Sequence, residues 1–514
     1  MVNRLPRPQN TNASMWVDEA IWGHRFYDEQ TPWLAFLEFL VVAYAENNVG
    51  RVFKEDKPNS LRYIPHTRLY FRNILFNNPN LKVIRSEYPD ENSRWAKWLE
   101  SMTKNSAGIK DNEPDFSYVR ERFERFSDFV RAIDFLLSSS IEEDSNKRWS
   151  SKFVFPYGPA CLYEDLKVTG ANVTNDRRFF ARTGELLYLM LTRSGKAQDI
   201  FFYLERIVFM ENTKWNQLVT ALQSPNETIG TERKGAYLPY LHLRDYENLA
   251  NDWLNILKCN LPGYDVLPYL VNITGLHLLM YFFNRAIEVL NRRNNLSFVL
   301  EILAPQKTVI RDLSADSYIE NNNLSVRAIE KYIYQVTETE DWQDALKSND
   351  PVGDASLVLQ KSFNWPDKNE EKDSVEDVVL PEGLLDELYN SALKRHKQHV
   401  YNIPRTWGKE FGLSSSRGSR RIRYAPTDEL LKTLVISTVP RRMEFQEFLT
   451  CLYVKYGFII GDRQAQPLIS NGSADQEAFS DNANRLEERL RSIGLLNRLS
   501  DACAYVINPF SREE

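Results

Sequence analysis

Apolar residues recur at helical steps over most of the chain. In "DEQTPWLAFLEFLVVAYAE", Trp33, Phe36, Leu37, Leu40 and Val41 share one face, with Thr31 as a cap and Pro32 in the first turn. Upstream, Ser14 is placed to cap a short helix carrying Asp18 and Glu19 in its first turn. The aromatic density here suits a segment docked on the body; an exposed aromatic surface for a partner is the alternative. In "FSYVRERFERFSDFVRAIDFLL", Phe116, Val119, Phe123, Phe126, Val130, Ile133 and Leu137 form one stripe. Arg120, Arg122 and Arg125 fall off it among glutamates, as a solvated face. A Gly- and Pro-bearing loop, "FVFPYGPACLYEDLKVTGANVTNDRRFF", precedes further helices, including 246–257 and 276–290. No fixed repeat period emerges, although the helical density is similar to that of an α-solenoid body.

The C-terminal pattern is cleaner. "TDELLKTLV" has Thr427 as cap, Asp428 and Glu429 at the positive helix end, and Leu430, Leu431, Leu434 and Val435 as its apolar face. "MEFQEFLTCLYVKYG" places Phe445, Phe448, Leu449, Leu452, Tyr453 and Tyr456 on a stripe, with Gly457 as the stop. "NANRLEERLRSIG" would bury Leu486, Leu490 and Ile493, and "LLNRLSDACAYVINPF" alternates as a closing hairpin should. Three helices and a two-stranded ribbon outline a winged helix-turn-helix. Its third helix would expose Arg485, Arg489 and Arg491, diluted by Glu487 and Glu488.

Charge adds a second landmark. The chain of 514 residues carries a net −6, which excludes a generally basic nucleic-acid coat. Residues 338–383 are acidic and poor in core residues, as a linker or insertion would be. Between 391 and 423 stand Lys394, Arg395, Lys397, Arg405, Lys409, Arg417, Arg420, Arg421 and Arg423, opposed only by Glu410. Trp407, Phe411 and Tyr424 are interleaved and could stack on bases. Three readings of this segment stand open: nucleic-acid contact, pairing with the acidic region, or plain solvation.

Candidate chemistry is sparse. Cys161, Cys259, Cys451 and Cys503 are too scattered for a zinc ribbon or a disulfide framework. His396 and His399 are spaced HxxH without the partners of a metal set, and His24 and His66 lie among aromatics as packed or hydrogen-bonded residues do. Asp367, Glu370 and Lys372 are too tightly spaced for a metal nuclease, and "SSSRGSR" lacks the ending of a phosphate loop. No cofactor or metal is expected. No secretory signal is evident, and the apolar runs fall short of the roughly 20 residues a membrane span needs.

At "MWVDEAIWGHRFYDEQTPWLAFLEFL" and at "RYAPTDELLKTLV…EFLTCLYVKYGFIIGDRQA" the chain resembles proteins of bacterial antiphage loci, specifically the multi-gene, methylation-associated defence systems. The resemblance brings no catalytic residues with it. It implies a bacterial cytoplasmic location, companions such as a methyltransferase or an ATPase, and work on foreign DNA.

The expected fold is mainly α, a multi-domain helical body with a C-terminal winged-helix-like (α+β) module. The expected divisions are 1–150, 151–337, an acidic linker or insertion at 338–390, and the basic segment with its winged-helix-like domain at 391–514. The expected function is a non-enzymatic subunit of an antiviral defence complex that contacts DNA through that last region. The alternatives are a scaffold for acidic partner subunits and a nuclease without a recognisable motif.

Overall fold

The computed structural model describes residues 13–55, 61–68, 70–76, 78–106, 114–138, 156, 158–169, 172–175, 180–224, 228–229, 231–236, 238–292, 295–303, 308–366, 379–416, 421–500 and 503–511. The fold is mainly α and divides into two compact units, one of residues 1–32 with 237–514 and the other of residues 33–236. The divisions expected at 150 and 337 fall inside these units. Helix α1 (Ala13–Trp22) belongs to the first unit and includes Ser14.

The second unit follows in chain order. It contains α2 (Pro32–Asn48), β1 (Arg62–Tyr63), β2 (His66–Arg68), α3 (Phe71–Phe76), α4 (Leu81–Glu87), α5 (Glu91–Asn105), α6 (Ser117–Arg122), α7 (Phe126–Ser138), β3 (Glu164–Thr169) and β4 (Asn172–Asn175). It closes with α8 (Thr183–Thr192), α9 (Ala197–Ile207), α10 (Lys214–Leu222), β5 (Thr228–Ile229) and β6 (Arg233–Lys234). A four-stranded sheet has the order β4-β3-β2-β5, and β1 pairs with β6. So the segment expected as a loop holds the β3–β4 hairpin. Buried aromatics dominate one core, where the Trp98 and Phe129 rings meet at 4.8 Å and Trp95 meets Phe126 at 5.1 Å.

Two local features show tertiary structure overriding pattern. The single stripe from Phe116 to Leu137 is broken into α6 and α7, because Glu91 of α5 accepts the Phe126 amide at 2.6 Å and starts a new helix. In the apolar helix α2, fully buried Glu38 accepts the amides of Arg182 at 3.2 Å and Gly184 at 2.8 Å. It thereby caps α8 at the helix's positive end, which is where a buried carboxylate is least costly. Gly184 permits that approach, since a Cβ there would lie 2.5 Å from the Phe39 nitrogen.

The first unit continues with α11 (Arg244–Leu257), α12 (Leu267–Val289), β7 (Phe298–Val299), α13 (Val309–Tyr334), α14 (Glu340–Ala345), α15 (Pro351–Phe363), α16 (Pro381–His399) and α17 (Ile403–Glu410). Of the acidic stretch expected as a linker, residues 338–366 hold α14 and α15, whose Trp342, Leu359 and Phe363 are buried, and 367–378 lie outside the described residues. The unit's last part holds β8 (Ser414–Ser415), β9 (Arg423–Tyr424), α18 (Asp428–Thr438), β10 (Arg442–Glu444), α19 (Phe445–Tyr456), β11 (Phe458–Ile459), α20 (Gln466–Ser470), α21 (Gln476–Ser492), β12 (Leu496–Ser500) and β13 (Cys503–Ile507). Strands β10, β13 and β12 form an antiparallel sheet in that order, and β11 pairs in parallel with β7.

Helix α12 with its preceding turn is long and apolar enough to cross a membrane by composition, but its apolar window is 83% buried within the fold. It is the core helix against which Trp22 stacks, ring to ring with Phe282 at 5.0 Å. The indole Nε1 also donates to the Phe282 carbonyl at 2.9 Å, so the aromatic opening is docked as expected.

Candidate nucleic-acid interface

Helix α16 is polarised along its length. Pro381 opens it, Leu384, Leu385, Leu388, Ala392 and His396 bury one face, and its cations gather in the last turns, opposite the helix's partial negative end. Lys394 and Lys397 are exposed there. Arg395 is instead held by Tyr27, to whose hydroxyl it donates at 2.7 Å while its guanidinium carbon sits 5.4 Å from the ring. A short turn leads into α17, which buries Ile403 and Trp407 and exposes Arg405 and Lys409 on the opposite side. Lys394, Lys397, Arg405 and Lys409 make no ion pair among the described residues.

The arginines beyond Ser415 divide. Strands β8 and β9 are antiparallel and pair Ser414 with Tyr424 and Ser415 with Arg423. Arg417 and Arg420 lie outside the described residues. Arg421 is exposed and reaches two aspartates of α13, Asp316 at 2.6 Å and Asp312 at 3.6 Å. Arg423 is buried against the Glu301 carboxylate, whose other oxygen accepts Arg311 at 2.7 Å. That geometry makes Arg423 a structural residue with no access to a ligand. The expected stacking aromatics are buried too. Trp407 and Phe411 are core residues, and Tyr424 packs its ring 5.0 Å from Phe298 while its amide donates to Ser314 at 2.9 Å.

Helix α21 is engaged within the fold more than toward solvent. Arg489 donates to Asp428 at 2.7 Å and to the Pro426 carbonyl at 3.0 Å, fastening α21 to the start of α18. Arg485 lies 3.7 Å from Asp481 one turn away, and Arg491 is exposed. The exposed face also carries Glu477, Asp481 and Glu488, which oppose a phosphate.

His396 faces inward and is fully buried. Its Nδ1 lies 3.0 Å from Asp18 and its Nε2 2.9 Å from the Ser325 hydroxyl, the connectivity of a hydrolase triad. Asp18 is 3% exposed and the other two are wholly buried, with Ser325 in the middle of α13. Without access for a substrate, the chain of contacts ties α1, α13 and α16 together. His399 faces outward, 3.7 Å from Asp28, whose carboxyl burial holds above its usual range while the His399 charge pulls it down. His24 packs edge-on to Phe26 at 5.2 Å, and His66 meets the Asn48 amide at 2.7 Å. A second buried network joins Asp252 to His277 at 2.7 Å, to the Tyr456 hydroxyl at 2.9 Å and to Lys455. Neither network was legible in the sequence, because its members are far apart in the chain and conform to no spacing. None of the four cysteines is in a disulfide, and among the described residues no group of three or more metal-ligating side chains could hold a metal ion.

Residues 382–509 match the family model of the methylation-associated defense system protein MAD7, which supports membership in such a system and a role in antiviral defence. No curated protein and no solved structure matches the chain.

Proposed function

We propose that the chain is a non-enzymatic subunit of a bacterial, cytoplasmic defence assembly and that it contacts DNA through α16 and α17 of its basic C-terminal region. The observation that carries this reading is the set Lys394, Lys397, Arg405 and Lys409, exposed on consecutive helices and without acidic partners among the described residues. Phosphate binding needs cations of that kind, since a charge already neutralised within the fold releases no counterion on binding. A winged-helix reading of 428–507 is supported by the three helices α18, α19 and α21, which precede β12 and β13 with β11 and the short α20 between α19 and α21, and by the sheet order β10-β13-β12. Companion proteins such as a methyltransferase or an ATPase fit the defence setting.

The test replaces the four exposed cations with alanine and measures binding to a duplex by anisotropy at fixed salt. The reading predicts a loss of affinity across unrelated sequences. Equal binding by wild type and variant removes this surface from the DNA interface.

One observation favours a second reading for α21 alone. With Arg489 spent on Asp428 and acids on its exposed face, that helix suits a protein partner better than a major groove. Retention of a companion protein after nuclease treatment, lost on charge reversal of Glu477 and Glu488, is the result this reading expects.

A further inference from the structure

The second unit carries an open groove with a cavity volume of about 700 Å³, walled by Arg68, Arg122, Tyr44 and the outward side of α10. Its construction starts with the carbonyl end of α10. The Nη1 of Arg122 donates to the carbonyls of Thr220 at 3.1 Å, Ala221 at 3.3 Å and Gln223 at 2.5 Å. This anchors the guanidinium by one nitrogen, in the favourable field of a helix C-terminus. Arg122 makes no ion pair with a carboxylate among the described residues. Across the groove, the Nε of Arg68 donates to the Gln223 side chain at 2.6 Å, and Gln223 in turn donates to the Ala160 carbonyl. Asn216 completes the frame, accepting the Ala160 amide at 2.8 Å and donating to the Glu211 carbonyl at 2.9 Å. The side chains of Asn212 and Gln217 also line the groove, are exposed, and make no hydrogen bond among the described residues.

These features restrict the ligand. Among the described lining residues Arg122 has no carboxylate partner and Glu211 is the one acid, which favours an anion, and guanidinium matches phosphate geometry. A bare phosphate would fill only a small part of the volume, which lies in the range of cofactor-sized sites. The polar lining is unlike that of an apolar drug-like pocket. Asn212 and Gln217 offer paired donors and acceptors suited to the edge of a base, and Tyr44 offers a ring. We propose that this groove binds a nucleoside phosphate, with the phosphate on Arg122 and the base toward Asn212 and Gln217. The site lies outside residues 382–509 and does not depend on DNA contact by the other unit.

The test is calorimetric titration of the full chain with AMP, GMP, CMP and UMP, and with adenosine and inorganic phosphate as controls. At least one monophosphate should bind, with adenosine and inorganic phosphate weaker by about tenfold or more, the weight of a charged hydrogen bond. Arg122→Gln should weaken that monophosphate by a similar factor. Because Arg122 also holds α10, Gln217→Glu provides a variant that disturbs no contact of the fold; it should bind more weakly with an unchanged melting temperature. No binding of any monophosphate at millimolar concentration overturns the proposal. So does inorganic phosphate binding as tightly as the best nucleotide, or affinity unchanged in both variants.

Discussion

Arg423 and Glu301 form a buried ion pair, their side chains 5% and 0% exposed, within the very segment whose composition is most basic. Arg311 approaches the same carboxylate at 2.7 Å, so Glu301 serves two cations from two different elements. Removing one partner of such a pair leaves a charge stranded in a poorly solvating interior. Arg423→Ala should therefore cost about 3 kcal/mol, the lower part of the usual range, because Arg311 remains. The check is the urea midpoint at constant m-value. A change below about 0.5 kcal/mol, the level of ordinary surface substitutions, would contradict the assignment of Arg423 to structure.

The Asp18–His396–Ser325 chain gives a sharper contrast between structure and catalysis. His396→Ala strands the Asp18 carboxylate and should cost about 3 kcal/mol, with faster hydrogen exchange in α1 ahead of global unfolding. Ser325→Ala removes one neutral hydrogen bond and should cost about 1 kcal/mol. If Ser325→Ala leaves stability untouched yet abolishes defence against phage, Ser325 is a nucleophile and the sealed-network account fails.

Alkaline pH tests the buried phenols. Burial pushes the Tyr240 hydroxyl up to about 12, moderated by Arg285, whose guanidinium lies 4.6 Å from the ring. Burial also holds Tyr281, Tyr424 and Tyr456 above the usual phenol range. The folded value exceeds the unfolded one of about 10. The stability these groups contribute is thus complete below about pH 10 and declines as pH rises through the folded values. Ultraviolet titration should show these phenolates only as the fold opens, and Tyr240→Phe should soften the decline. Ionisation of all of them at pH 10 in a still-folded chain would contradict their burial.

Periodicity was a good guide where a helix packs by its own stripe. Thr427 caps α18 by accepting the Leu430 amide at 3.3 Å, and Leu430, Leu431, Leu434 and Val435 are buried as their spacing requires. In α19 the stripe holds at Phe445, Phe448, Leu449, Leu452 and Tyr456, but Tyr453 is 39% exposed, since one step of the pattern suits two adjacent faces. Gly457 ends α19 at φ +74° as its position suggested. Composition was a poorer guide. Acidity hid the buried Trp342 and Phe363 of α14 and α15, and a count of arginines could not separate Arg405 from Arg423. That separation depends on Glu301, more than a hundred residues away, and no local pattern encodes it.

The central claim is that Lys394, Lys397, Arg405 and Lys409 meet phosphates while Arg423 does not. It is tested most directly by the dependence of duplex affinity on salt, measured for wild type, for the four-alanine variant and for Arg423→Ala below its melting temperature. Each phosphate contact contributes a slope of about −0.9 in log K against log salt. The account predicts that the four-alanine variant flattens the slope by about 3 to 4 units, and that Arg423→Ala leaves it as in wild type. Equal slopes for wild type and the four-alanine variant, or a flattened slope in folded Arg423→Ala, would contradict it.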